Sequence, residues 1–161
     1  MTQSVSDRVV RQRIRNRVIE DLELQASFEL QRDYEARVPV ISAGEVIEGW
    51  HAWIYGDPRH ETPHAVLTLD DIAALAPVHD CIEAAAMELR QFDYPTMAQA
   101  QGLPAWTLLQ NQSAIALAVL SQRGRMSGDA EEDQACLAHR YASRRCATVT
   151  ISMTSTSSRM R

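Results

Sequence analysis

The chain has 161 residues, 45% of them apolar and 23% charged, with a formal net charge of −5, enough for one domain with its own core and no need of disulfides or metals. No stretch approaches the ~20 apolar residues of a membrane span, and the start M-T-Q-S-V-S-D lacks the apolar core of a secretory signal, so cytoplasmic residence is expected. All sixteen basic residues are arginine, which excludes Schiff-base, lysine general-base and P-loop lysine chemistry and fits a GC-rich bacterial coding genome.

Ser4 and Asp7 resemble a helix cap and its partner. From there to Val38 there is neither Gly nor Pro. Val10, Ile14, Val18, Leu22, Ala26, Leu30, Tyr34 and Val38 recur every four residues, which predicts one long helix closed by Pro39. Ser42 and Glu45 form a second capping signature, before a helix over 43–55 with Val46, Ile47, Trp50, Trp53 and Ile54 on one face. Residues 56–65, with two prolines, read as a loop. Thr68 and Asp71 cap a third helix through Leu75, which Pro77 either kinks or restarts towards Phe92. Asp93-Tyr94-Pro95 is a turn, and a short helix follows to Gln101.

Pro104 is placed as the first residue of a helix that stops at Gly124. Its middle, Ala114 to Leu120, is apolar on nearly every side and predicts a central, buried helix. A last helix is expected after Gly128, with acids in its first turn and arginines near its end. The final segment alternates Val149, Ile151 and Met153 with Thr and Ser. It reads as a flexible tail or as a strand added to another chain. The expected fold is all-α: a single irregular or orthogonal bundle of five to seven helices over 1–147 with a long N-terminal helix, and a tail or added strand over 148–161.

The string His60-Glu61-Thr62-Pro63-His64 matches H-E-x-x-H and so resembles the signature of the zincin family. That chemistry needs both histidines on one helical face, with the glutamate beside a metal-bound water. Pro58 and Pro63 bracket the segment and no helical pattern covers it. Loop histidines are therefore expected, with His60 and His64 as the only metal candidates, and no cofactor. Cys81, Cys136 and Cys146 form no C-x-x-C and read as small buried hydrophobes. His79-Asp80-Cys81 sets a thiol near an imidazole, but such neighbours do not face each other on a helix. There is no G-x-S-x-G and no G-x-G-x-x-G. Catalytic residues are thus not assigned, and the chain reads as a non-enzyme. Trp50 and Trp53 read as core; if exposed, they would anchor a protein interface.

Charge is the remaining signal. Arg8, Arg11, Arg13, Arg15 and Arg17 crowd the first helix, where like charges a turn apart repel by ~0.2–0.5 kcal/mol per pair. Residues 45–93 hold ten acids against two arginines. The arginines flank the apolar strip Val10–Ile14–Val18 and are expected to rim an interface or an internal ion-pair face. Glu45, Glu48, Asp70 and Asp71 mark the acidic surface. The expected function is a bacterial protein-interaction protein acting through charged surfaces, such as a toxin-neutralising immunity protein, with a protein partner or a second copy of itself. A nucleic-acid-associated regulator using the arginine-rich helix is the alternative; no membrane partner is expected.

Overall fold

The computed structural model describes residues 5–38 and 42–132. The chain divides into a compact unit spanning 1–131 and a second spanning 132–161, and every described helix belongs to the first. The expected helix after residue 132 and the expected tail or strand at 148–161 lie outside the described residues.

Six α-helices and one short 3₁₀ turn make up the described fold, an irregular all-α bundle. They are α1 (Asp7–Gln25), α2 (Phe28–Arg37), α3 (Ala43–Trp53), α4 (Leu69–Leu89), α5 (Met97–Gln101) and α6 (Pro104–Arg123), with the 3₁₀ turn at Pro58–His60 between α3 and α4. α6 packs against α4, α1 and α5, while α3 bridges α1 and α4. The core gathers Leu22, Trp50, Leu75, Ile82, Met97, Trp106, Leu109 and Leu120, all essentially inaccessible.

The expected single helix to Val38 is broken in two. Ser27 adopts an extended conformation and its hydroxyl accepts from the Leu30 amide, starting α2 afresh. The end of α1 exposes carbonyls with no helical partner. Gln31, fully buried on α2, answers them: its Nε2 donates to the carbonyls of Leu24 and Gln25 at 3.2 and 3.0 Å. Its Oε1 accepts from the Trp106 indole at 3.0 Å and from Gln101 at 3.1 Å. One amide thus joins α1, α2, α5 and α6. Breaking the helix also relieves the drift of a four-residue apolar ladder, which advances about 40° per step. Val10, Leu30 and Val38 from that ladder stay exposed.

α4 runs unbroken through Pro77. Its first turn carries the predicted capping box, Thr68 and Asp71 bonding each other's backbone amides. Ser42 starts α3 without a side-chain cap bond. Gly124 ends α6 with φ of +70°, a conformation that suits glycine. α6 is not buried on all sides: Leu108 and Ile115 are each 57% exposed, Ala105, Trp106, Leu109, Ser113, Ala116 and Leu120 are buried, and Leu117 and Val119 pack half-buried against the core. Leu and Ile on both sides of a helix carry no information about which side is covered.

Candidate functional site

The α1 arginines do not act together. Residues 124–130 form a segment without helix, so its backbone groups must find partners elsewhere. α1 supplies them. Gln12 Nε2 donates to the carbonyls of Ser127 and Ala130, and Asn16 exchanges two bonds with the Met126 backbone. Arg13 Nε donates to the Gly128 carbonyl at 2.6 Å. Arg15, 2% exposed, donates from Nη1 to the Gly124 carbonyl and from Nη2 to that of Leu120, at 2.6 and 2.8 Å, closing the C-terminus of α6. Arg125 returns the contact through Glu20 and Glu23. Arg17 pairs with Glu20 at 2.6 Å on the surface. Arg8 is half-buried. Arg11 is exposed and makes no hydrogen bond or ion pair with a described residue.

Behind Arg15 lies a buried charge cluster. Asp71 is 1% exposed. It accepts from Arg123 at 2.9 Å and from the Thr68 amide and hydroxyl, and lies 3.7 Å from Arg15. Arg123 also donates to the carbonyls of Ala65 and Val66, tying the loop before α4 to α6. Two guanidiniums therefore share one carboxylate. Burial depresses the Arg15 pKa below its ordinary value; Asp71 opposes that shift and Arg123 adds to it. Arg15 Nε is buried without a hydrogen-bond partner.

This cluster borders a cleft of about 310 Å³ between α1, the end of α3 and the 54–67 loop. Its polar wall holds Arg11, Arg15, Glu61 and His64. Its apolar wall holds Trp53 and Tyr55 with aliphatic side chains such as Ile14 and Ile54. The H-E-T-P-H string forms no α-helix: His60 ends the 3₁₀ turn and Glu61–His64 is loop, where His64 has a structural task. Its Nδ1 accepts from the amides of Val66 and Leu67 at 3.2 and 3.1 Å. That fixes the proton of the neutral ring on Nε2. Burial first, then Arg11, hold its pKa below the ordinary histidine value. Among the described residues no group of three or more His, Cys, Asp or Glu is placed to hold a metal.

The acidic middle is likewise dispersed. Asp71 is interior, Asp57 and Asp80 share Arg59, and Glu83 meets His51. Glu88 accepts from the Ala105 amide at the start of α6. Glu45, Glu48 and Asp70 are exposed with no ion pair to a described residue. Asp70 lies in the first turn of α4, whereas Glu45 and Glu48 lie one turn apart on α3. Trp50 is fully buried and donates to His79 Nδ1 at 3.3 Å, so His79 serves packing. Cys81 is half-buried, and burial together with Asp80 raises its thiol pKa, which disfavours the nucleophilic thiolate. Trp53 is 39% and Tyr55 96% exposed. The sequence pattern alone missed the buried positions of Gln12, Arg15, Gln25 and Gln31. Together with Val9, Val18, Ile19 and Leu22, the first three lie on one helical stripe of α1.

No protein-family model matches this chain, and no curated protein or solved structure matches it. No helix among the described residues is long and apolar enough to cross a membrane.

Proposed function

We propose that this chain is a non-enzymatic bacterial protein of the cytoplasm that binds another protein through the exposed face of α3 and the aromatic residues at its end. A toxin-neutralising immunity protein is the most concrete member of that class. The observation that carries the reading is the composition of one face. Glu45 and Glu48 are exposed there without internal counter-ions among the described residues. Trp53 lies about 80° round the helix from Glu45, at the edge of that face, and Tyr55 follows two residues later. Uncompensated carboxylates steer a basic partner, and Trp and Tyr are the residue types that anchor interfaces. A nucleic-acid role for α1 draws on fewer arginines than the sequence offers, because Arg13 and Arg15 donate to backbone carbonyls and Arg17 pairs with Glu20.

The test is capture of partners from lysate of the source cell by the wild-type chain and by a Glu45→Arg/Glu48→Arg variant. A basic protein retained by the wild type, released by moderate salt and not retained by the variant is the expected result. A chain that stays monomeric and partnerless in light scattering and capture alike refutes the reading. Nucleic acid carried through low-salt purification, seen as a raised 260/280 absorbance ratio, would favour the regulator instead.

A further inference from the structure

We propose that the cleft beside α1 binds a small organic anion with a flat apolar body, its carboxylate or phosphate held by Arg11 and His64. This inference shares Trp53 and Tyr55 with the protein-partner reading but not its Glu45 and Glu48, which do not line the cleft, so the Glu45→Arg/Glu48→Arg and Arg11→Gln variants test the two separately.

Three observations converge on it. The first is size and lining. A volume of about 310 Å³ lies at the lower end of small-ligand sites, which span about 300–1,000 Å³. At about 30 Å³ per water-sized unit it accommodates roughly ten non-hydrogen atoms. Trp53, Tyr55, Ile14 and Ile54 give it an aromatic and aliphatic wall, suited to a ring.

The second is the polarity of the donors. Arg11 presents a guanidinium committed to no described carboxylate or carbonyl. His64 spends Nδ1 on two backbone amides, so its neutral ring can offer only the Nε2–H, a donor. Arg15 forms part of the same wall and keeps a buried Nε–H without a partner, a condition that costs stability until an acceptor reaches it. The polar side chains of the wall thus present donors, apart from Glu61.

The third is charge balance. Among the described residues, Arg11 and Arg15 line the cleft with the exposed Glu61, and behind it Arg123 joins Arg15 on Asp71. One positive charge, that of Arg11, is left over to attract an anion. Guanidinium–carboxylate and guanidinium–phosphate contacts are the strong, charge-assisted kind.

Calorimetry and tryptophan fluorescence on the full-length chain, with phenyl phosphate, phenylacetate, inorganic phosphate and benzylamine as probes, test this. Both phenyl anions should bind saturably at one site per chain, and more tightly than inorganic phosphate. Arg11→Gln should weaken them at least about tenfold. Arg17→Gln, the control on the same helix, should leave the affinity unchanged. Trp53→Phe should abolish the fluorescence response while calorimetry still registers binding. The proposal is overturned if neither phenyl anion saturates at millimolar concentration or if benzylamine binds as well. It is also overturned if inorganic phosphate binds as tightly as phenyl phosphate, or if Arg11→Gln and Arg17→Gln weaken binding equally. Arg11 is exposed and makes no hydrogen bond or ion pair with a described residue, so its replacement should leave the fold intact.

Discussion

The basic start and the acidic middle of this chain look like opposite poles of one electrostatic pattern, yet the fold uses them differently. Two of the five α1 arginines, Arg13 and Arg15, are hydrogen-bond donors to backbone, while Arg17 pairs with Glu20. Arg13 and Arg15 serve carbonyls of the 120–130 region, and Arg15 alone reaches into the buried cluster around Asp71. The acids of the middle are scattered among a capping box, an Arg59 clamp, an α6 amide and open surface. The difference lies in donor geometry. A guanidinium carries five donors in a fixed fork and can satisfy several carbonyls without needing a carboxylate. A charge cluster in sequence is therefore a different thing from a charged surface in space.

Breaking the buried end of that comparison should have the largest effect. Asp71→Ala removes the carboxylate shared by Arg123 and Arg15 and one half of the α4 capping box. It should destabilise the chain by about 3–5 kcal/mol, because the buried Arg15 and the half-buried Arg123 lose their partner. Urea denaturation measures this, and a loss below about 1 kcal/mol would mean that the cluster is solvated rather than buried.

A smaller effect of opposite sign is expected at Asp21. Burial, and then Glu20, push its carboxyl up to about 6 from an ordinary 3.8, against the pull of Arg17. Its Oδ2 is buried without a hydrogen-bond partner. The folded chain therefore holds this proton over a pH range in which the unfolded chain has released it. From this group, stability falls as pH rises from about 4 through about 6 and the full penalty stands above that. Asp21→Asn should stabilise at pH 8 by on the order of 1 kcal/mol, the screening of a partly exposed group considered. The gain should vanish at pH 4. Thermal melts of both chains across that range check the sign, and an equal gain at both pH values would contradict it.

The exposed end of the comparison should barely respond. Arg17 pairs with Glu20 at the surface, its side chain 59% exposed. Arg17→Gln should change stability by less than about 0.5 kcal/mol. A larger loss in the same denaturation experiment would show that the α1 arginines support the fold as a group.

Much of the fold was legible because local chemistry and tertiary packing agreed. Thr68 with Asp71, Pro104 at the first turn of α6 and Gly124 at its end all sit where their backbone preferences place them. The prolines around the H-E-T-P-H string foretold the absence of an α-helix, and the segment is a short 3₁₀ turn followed by loop. The break at Ser27 was not legible, because a serine between apolar residues fits a helix interior as well as a cap. It becomes a cap only when Gln31 is present to bond the carbonyls that the break releases. The polar core positions were hidden for the same reason. Gln12 gave no signal, and Arg15 read as part of an interface rim or ion-pair face, until a facing segment of unsatisfied carbonyls, far away in sequence, is brought against them.

By itself, then, the sequence determined the all-helical class, the starts of α4 and α6, and the absence of lysine chemistry, since these depend on residues within a turn of one another or on composition alone. Tertiary structure decided which arginines became interior donors and which one, Arg11, was left facing a cleft. It also decided that Trp50 is core while Trp53 reaches the surface. A long flexible donor takes its role from whatever acceptor the fold sets before it, and that acceptor lies more than a hundred residues along the chain from Arg15.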